Sequence, residues 1–544
     1  MYALWYLLTL LCTTAFTLEH NGQRLHSRQK ARPQQDTVNK AVVAKNGVML
    51  QAFEWYMTKD RQHWNRLQGQ LSKLSGLGVN RLWIPPATKA GFQGSVGYDV
   101  YDWWDLGEFN QKGSIATSYG TKAELQALSR NATTYGIGVL ADAVMNQRSG
   151  ADITLQCQAH RLDPNNRFNR ISGDQTIAAW VGFQFPGRGT RYSNKTYTCA
   201  DFTAVDYDNL SGTNAVWKLS GSNNDFASDV SQENGNYDFL ILADLAYRNP
   251  SVQEDAKAWA KWYIQEIGLS GFRIDAVKHI SAAFQLDLVN RINSLSTLYI
   301  AEYLTGDVSI VQRYSQSLQN KVSVFDTTLQ IRLHDFSTGA RQDLRAVFDS
   351  TWTTTNPAKS VPYVNNHDTQ PGQAIESLNI SGWFLPLAYA LILLRDTPSY
   401  PTVFWGDLYG QRNSAGQFSP PQHGATVANL MLARRLYSYG PQISYFDAAN
   451  SIGWVRQGDS ARARPDGLAV LLNNAQGTSS SIRMNVGSQH RGEVWTSVLK
   501  AADQVTIDAN GWGVFSVGAG TVNVYARSGA PGRELFGRWD NSFG

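Results

Sequence analysis

The chain has 544 residues, of which 42% are hydrophobic and 17% charged, so it is a globular protein rather than a disordered one. This length predicts two or three domains, or one large barrel with additions. The net charge of +4 is small for the length and no basic stripe is present, so we expect no nucleic-acid partner.

The first 17 residues, MYALWYLLTLLCTTAFT, are apolar, uncharged and too short for a comfortable membrane span. We interpret 1–17 as a secretory signal peptide, although it lacks the basic residue that usually precedes the apolar run. An uncleaved N-terminal anchor is the alternative. No later segment has the pattern of a membrane span, so we predict a secreted protein without stable membrane insertion. Residues 18–45 are polar and predict a flexible or processed segment.

Short apolar runs then alternate with helical patterns. VNRLWIPP predicts a strand, and the helix after it has Thr121 as N-cap with Glu124 completing a capping box. GIGVLADAVMN predicts a strand that is apolar on both faces, as a parallel sheet requires. Later strand patterns end in polar or acidic residues: GFRIDAV, LYIAEY, VSVFDT and VPYVNNHD. The alternation predicts an α/β fold, a (β/α)8 TIM barrel formed by 46–145 and 251–441, with its site at the carboxyl ends of the strands.

The alternation fails between the two parts of the barrel. Residues 146–250 are rich in Gly, Asn and Asp and too long for a simple loop, so we predict an irregular, β-rich subdomain inserted over the rim. Cys12 lies in the predicted signal, which leaves Cys157 and Cys199 as an even pair in the insertion. We predict a disulfide between them; two unrelated buried thiols are the alternative. Four sequons permit glycosylation, at Asn131, Asn194, Asn209 and Asn379.

The pattern changes again after the barrel. Short strand patterns separated by turns, such as GLAVLLNN and TVNVYAR, predict a C-terminal antiparallel β-domain over 442–528. The tail 529–544 is rich in Gly, and we expect it to be loose.

Four stretches at predicted strand ends carry candidate chemistry: DAVMNQ, GFRIDAVKH, AEY and VNNHD. In a barrel, Asp275, Glu302 and Asp368 would point into one cavity at the rim. Cleavage of a glycosidic bond needs one carboxylate that attacks and one carboxylic acid that protonates the leaving oxygen, and clustering would raise the pKa of that acid. Arg273 shares a strand face with Asp275 and would keep it ionised. A single Asp at a strand end is more often a helix cap or turn residue, but four such stretches in order favour a site.

These stretches resemble the four signature regions of the α-amylase family, glycoside hydrolase family 13. Further stretches, among them QAFEWYM, LWIPPA, VGYDVYD and NNHDTQPGQ, are similar to the bacterial liquefying α-amylases and their fungal relatives, and the similarity runs from about residue 46 to 527. The resemblance implies retaining, endo-acting hydrolysis of α-1,4-glucosidic bonds in starch- or glycogen-type glucans. The expected partner is a polysaccharide or maltooligosaccharide substrate, and we expect a monomer.

The resemblance also implies a role for each site residue. Asp275 is similar to the nucleophile, Glu302 to the general acid/base and Asp368 to the transition-state stabiliser of the family. The positions that match substrate contacts are Arg273, His367, Tyr98, Lys278, His279 and Gln147.

A structural calcium site is implied as well, between barrel and insertion. Its expected ligands are Asn146, Asp238, Asp244 and the carbonyl oxygen of His279, and oxygen ligands suit Ca²⁺. The liquefying enzymes often hold a sodium ion and a second calcium nearby. Where they carry carboxylates, this chain has Ala227, Ala246 and Arg248, so we predict a single calcium. Arg248 would instead pair with Asp206 and Asp238.

Two departures from the family pattern lie near the expected cleavage point. Gln147 stands where the family usually has His, and Leu304 stands where relatives commonly carry Trp. Either change would weaken contacts to the sugar. Two alternatives to an endo-acting α-glucan hydrolase therefore stay open. One is a weak hydrolase that mainly transfers glucan pieces or trims and primes cell-wall α-glucan; the other is a catalytically poor glucan-binding protein.

Overall fold

The computed structural model describes residues 46–292, 295, 297–339, 342–500 and 503–543. The predicted signal 1–17 and the polar segment 18–45 lie outside the described residues. Among the described helices, none combines the length and the apolar character needed to cross a membrane.

Eight parallel strands form the central barrel: β1 Val48–Gln51, β2 Val79–Ile84, β3 Gly138–Ala143, β4 Gly271–Ile274, β5 Leu298–Ala301, β6 Ser323–Phe325, β7 Ser360–Val361 and β8 Thr402–Phe404. Their order in the sheet is β7-β6-β5-β4-β3-β2-β1-β8. The sheet closes because Thr402 N, on β8, donates to Pro362 O, directly after β7, at 2.8 Å. The predicted (β/α)8 barrel is therefore confirmed.

Helices follow the strands and cover the outside of the barrel. The helix Lys122–Thr134 begins with the predicted capping box of Thr121 and Glu124. The helix Pro250–Ile267 is capped by the Asn249 side chain and ends at Gly268, whose φ of 73° suits glycine. The others are His63–Gly76, Ala282–Ile292, Val308–Ser317, Thr327–Thr338, Trp352–Thr355, Leu385–Leu394, Trp405–Tyr409 and Thr426–Tyr437.

The insertion after β3 contains a seven-stranded sheet. Its cysteines Cys157 and Cys199 form the predicted disulfide, with Cα atoms 5.8 Å apart. The short strand Gln147–Arg148 follows β3 and pairs with Ala243–Leu245, which joins the insertion to the rim of the barrel. The remaining strands are Ile153–Asp163, Asn166–Arg170, Gln175–Gly182, Phe202–Asp208 and Thr213–Leu219.

Antiparallel strands make up the region after the barrel, as predicted. A six-stranded sheet contains Gln442–Ala448, Ser451–Arg456, Leu468–Asn473, Val494–Ser497, Gln504–Thr506 and Thr521–Arg527, and a two-stranded sheet pairs Ser480–Asn485 with Trp512–Val517. Two smaller hairpins pair Lys89–Ala90 with Val100–Asp102 and Gln411–Arg412 with Phe418–Ser419.

The tail packs onto the barrel, so the expectation that it is loose was wrong. Phe543 meets Trp405 edge to face with ring centroids 4.4 Å apart, and Trp539 Nε1 donates to Leu408 O at 3.3 Å. The expectation rested on glycine content and gave no weight to these aromatic side chains, which have an apolar surface to cover.

Candidate active site

Arg273 is the centre of a buried ion cluster at the carboxyl ends of three adjacent strands. Its Nη1 lies 2.7 Å from Asp142 Oδ1, on β3, and 2.5 Å from Asp275 Oδ1, directly after β4. Its Nη2 lies 2.7 Å from Glu302 Oε2, directly after β5. Because parallel strands end at one edge of a barrel, side chains far apart in sequence meet here. Two of the three predicted catalytic groups therefore share one guanidinium.

Burial and neighbouring charges set the protonation of this cluster. Burial raises the pKa of Asp275 well above its ordinary value, and the charge of Arg273 opposes that rise. Burial also raises the pKa of Asp368 to about 7, with a further rise from the nearby Glu302 carboxylate. Several carboxyl groups around one cation therefore keep a proton near neutrality. Glycoside cleavage needs one carboxyl group ionised and another protonated, so the expected chemistry requires the retained proton to lie on Glu302 rather than on Asp275.

The backbone after Asp275 helps to fix Glu302. Ala276 has a φ of 50°, in the left-handed region that non-glycine residues rarely adopt. In this conformation its N–H donates to Glu302 Oε2 at 3.0 Å. Strained backbone next to a candidate nucleophile is typical of an active site, where surrounding contacts hold it in place.

Tyr98, His367 and Trp55 form a wall of parallel rings. The ring planes of Tyr98 and His367 differ by 4°, with centroids 5.1 Å apart, and Trp55 is parallel to both. His367 Nε2 lies 3.4 Å from Asp368 Oδ2, and Gln51 Nε2 lies 3.0 Å from His367 Nδ1. Burial lowers the pKa of His367 well below its ordinary value, so the ring is neutral. The wall offers flat faces and hydrogen-bonding groups beside Asp368.

Lys278 and His279 lie on the side of the cluster that faces the insertion. Lys278 Nζ lies 2.8 Å from Glu233 Oε2 and donates to Leu304 O at 3.3 Å. The His279 ring is buried, with Nδ1 2.6 Å from Tyr237 O. Burial lowers the pKa of His279 to about 4, so this ring is neutral too. Lys278 therefore contacts the backbone of Leu304, one of the two departures from the family pattern.

Gln147 is buried under the aromatic wall. Its Nε2 donates to Tyr98 O at 3.0 Å. Its Oε1 is buried and has no hydrogen-bond partner within the described part of the chain. The side chain thus holds the backbone of Tyr98.

Asn146, Asp238 and Asp244 come together where the insertion joins the barrel. Asn146 Nδ2 donates to Asp244 Oδ1 at 3.0 Å, and the carboxyl groups of Asp238 and Asp244 are in hydrogen-bond contact. Burial raises the pKa of Asp238 to about 8 and that of Asp244 well above its ordinary value. Two adjacent buried carboxyl groups repel each other when both are ionised, and a cation would relieve that repulsion.

Arg248 has a different partner from the expected one. Its Nη1 lies 3.3 Å from Asp225 Oδ2, and both side chains are more than half exposed. Asp206 Oδ2 instead accepts from Leu242 N at 2.9 Å. The expected pairs of Arg248 with Asp206 and Asp238 were therefore wrong. An exposed guanidinium stays in water rather than entering a buried acidic pair, since desolvation would cost more than the pairing returns.

The sequence interpretation gave no role to four residues of this site. Asp142 accepts from Tyr98 Oη at 2.8 Å and from Trp83 Nε1 at 3.0 Å, besides its contact with Arg273. Its position could have been found from the register of the barrel, where Arg273 pairs with Asp142. Gln51, Trp55 and Trp83 had no comparable signal, because they act through contacts between strands and loops.

Comparisons with known proteins point to one family. The family described as "Alpha amylase, catalytic domain" matches residues 54–417. The α-amylase of Bacillus licheniformis is 40% identical over 526 residues, which cover 96% of this chain and 98% of that protein. The glucan 1,4-alpha-maltohexaosidase of Bacillus sp. (strain 707) is 40% identical over 491 residues, covering 88% of this chain and 92% of that protein.

A solved structure agrees at the level of the fold. The α-amylase from Geobacillus thermoleovorans, complexed with acarbose, superposes with a TM-score of 0.58 at 16% identity, covering 89% of this chain and 98% of that one. From the family match and the two bacterial relatives, the chain belongs to the α-amylase family of glycoside hydrolases.

Proposed function

We propose that the protein is a retaining, endo-acting hydrolase of α-1,4-glucosidic bonds in starch- or glycogen-type glucans. The observation that carries this proposal is the shared guanidinium of Arg273, which contacts both Asp275 and Glu302. This shared contact supports a mechanism in which the two carboxyl groups, which follow adjacent strands, act on one glucosidic bond. Relatives at 40% identity carry the names of α-glucan hydrolases, which supports the substrate class.

In this mechanism Asp275 and Glu302 divide the chemistry between them. Asp275 attacks the anomeric carbon while Glu302 gives its proton to the leaving oxygen, and a covalent glycosyl-enzyme forms. Glu302 then takes a proton from water as the water attacks the anomeric carbon, which frees Asp275. Asp368 stabilises the positive charge that develops on the sugar, and the wall of Tyr98, His367 and Trp55 would position the ring.

The proposal includes one structural Ca²⁺. Asn146, Asp238, Asp244 and the carbonyl oxygen of His279 would hold it, and the buried, mutually repelling carboxyl groups fit a doubly charged ion. Within the described ranges, no group of three His, Cys, Asp or Glu has the arrangement of metal ligands, so the site depends on the amide and the carbonyl. The bound ion would join the insertion to the barrel.

We also propose that the chain follows the secretory route. The disulfide Cys157–Cys199 is typical of an oxidising compartment. Asn194 and Asn209 are exposed and suit glycosylation. Asn379 suits it less, because its Nδ2 donates to Thr369 O at 2.9 Å beside the site.

A product profile tests the hydrolase. Purified protein is incubated with maltoheptaose and calcium, with Glu302→Gln as the blank, and the products are separated by size over time. Accumulation of shorter sugars alone supports hydrolysis. Products longer than the substrate would indicate glucan transfer instead of hydrolysis, and Leu304 would be the next residue to test. Binding without any product would favour a glucan-binding protein.

A further inference from the structure

A second pocket, here called the rim pocket, lies on the side of the barrel that carries the candidate active site and has a volume of about 300 Å³. Lys59 and Arg61, from the segment after β1, form part of it. The rest comes from the segment after β2, including Phe92 and Lys112. Both segments leave the carboxyl ends of their strands, where the candidate active site lies.

The rim pocket is lined by basic groups and, in the described part of the chain, by no aspartate or glutamate. Lys89 is committed to the fold, because its buried Nζ donates to three backbone carbonyls and lies 3.3 Å from Asp105. Lys112 Nζ lies 3.3 Å from Asp152. Arg61 is exposed, and burial together with the charge of Arg61 lowers the pKa of Lys89 despite the opposing effect of Asp105. Like charges thus meet in this pocket, and an anion would relieve their repulsion.

Lys59 adds a second available cation. Its Nζ donates to Trp55 O at 2.6 Å, which leaves two of its three N–H groups for a ligand. Burial lowers its pKa to about 8, so the ammonium is still mostly charged at neutral pH, and Glu54 attracts it from outside the pocket. Arg61 and Lys59 can therefore both donate hydrogen bonds to one anion.

The backbone of the pocket is strained at two of its cations. Arg61 has a φ of 65° and Lys112 a φ of 50°. Both values lie in the left-handed region, where glycine would be relaxed and a residue with a side chain is strained. A strained backbone that carries charged side chains into a pocket points to a role for those side chains.

The rim pocket adjoins the catalytic cluster. Trp55, which accepts from Lys59, stacks parallel to Tyr98 and His367 in the aromatic wall. Gly97, next to Tyr98 in the chain, also lines the pocket. Phe92 is 63% exposed and offers a flat apolar face, as a sugar ring requires. A glucan chain in the active site could therefore place a neighbouring unit here.

We propose that the rim pocket binds a phosphate monoester carried by a glucosyl unit, so that the enzyme favours phosphorylated α-glucan chains. The inference rests on the proposed glucan hydrolysis. A neutral glucan would gain little from these cations, whereas a phosphate dianion accepts paired hydrogen bonds from the Arg61 guanidinium and further bonds from Lys59. Phe92 would stack on the sugar that carries the ester.

Kinetics on one matched substrate pair test the inference. A maltodextrin that carries phosphate esters is compared with the same preparation after phosphatase treatment. We expect kcat/KM to be about tenfold higher on the phosphorylated form, the size that one or two charge-assisted hydrogen bonds supply. The ratio should fall to about one in Arg61→Gly and to an intermediate value in Arg61→Lys, which keeps the charge but loses the planar fork. Arg61→Gly should fold at least as well, since glycine suits this φ.

A matched control and a binding readout separate the outcomes. Arg130→Gln removes an exposed cation from the helix Lys122–Thr134, outside the pocket, and should keep the tenfold ratio. Binding of both dextrins to Glu302→Gln, measured by calorimetry, needs no turnover and should show the same preference. Equal cleavage of the neutral and the phosphorylated dextrin would overturn the proposed phosphate binding at the rim pocket and leave the proposed hydrolase function intact. Inorganic phosphate that binds as tightly as the phosphorylated dextrin would also overturn it, as a free-anion site.

Discussion

At the scale of single residues, the active site depends on how one cation is shared. Arg273 is 1% exposed and contacts three carboxyl groups. These three acids therefore share the compensation that a single positive charge provides. A buried charge of this kind is costly to leave unpaired, which keeps the acids close together. The cluster therefore fixes geometry and protonation at once.

Asp275→Asn should abolish turnover and leave the fold intact. Asn has the size of Asp but is a far weaker nucleophile, and Arg273 keeps two other acidic partners. We expect kcat on maltoheptaose to fall by about four orders of magnitude or more, with a melting temperature within a few degrees of the parent. Activity close to that of the parent enzyme would remove Asp275 from the role of nucleophile.

Gln147→His should raise turnover. The Gln147 amide is committed to Tyr98 O, and its buried Oε1 has no partner in the described structure. A histidine could offer a ring N–H to the sugar, and one such bond contributes about 1–3 kcal/mol, or one to two decades in rate. The measurement is kcat on maltooligosaccharides, with Gln147→Leu as the control that lacks any polar group. No gain for His would mean that the contact with Tyr98 already compensates.

At the scale of elements, sequence patterns predicted the structures that interactions within one segment determine. The helix Lys122–Thr134 was predictable because its capping box and apolar spacing lie within the segment itself. The tail was not, because Phe536, Trp539 and Phe543 are partly buried and contact rings of residues far away in sequence. In the site, strand ends predicted Asp275 and Glu302, but the role of Asp142 depends on register between strands.

The packed tail predicts a measurable loss of stability on truncating its last aromatic side chain. Phe543 contacts His63, Trp405 and Tyr409, and its own ring is partly buried. Phe543→Ala should lower the free energy of unfolding by about 1–2 kcal/mol, from lost apolar burial and ring contacts. Chemical denaturation measures the change, and the exposed neighbour Ser542→Ala is the control. Equal stability of the two variants would show that the tail does not pack in solution.

At the scale of the whole molecule, one junction between the insertion and the barrel lies near β3. The strand Gln147–Arg148 pairs with Ala243–Leu245, and Leu245 N donates to Asn146 O at 2.9 Å. The acidic pair Asp238 and Asp244 lies at the same junction, where Asp244 accepts from Asn146, which follows β3. Whatever relieves the repulsion of that pair stabilises the junction and the site together.

Removal of calcium should therefore destabilise the whole molecule. An ion that binds only the folded chain, at a free concentration of about a thousand times its Kd, adds about 4 kcal/mol to the free energy of unfolding. A chelator should therefore lower the melting temperature by several degrees, and returned calcium should restore it. Asp244→Asn should show a much smaller calcium effect, because it removes one carboxylate from the proposed ligand set. Magnesium should not substitute, since it demands a tighter octahedral shell. Metal analysis should find one tightly held calcium per chain. Two would contradict the prediction drawn from Ala227, Ala246 and Arg248. A melting temperature that the chelator leaves unchanged would argue against a structural ion at this junction.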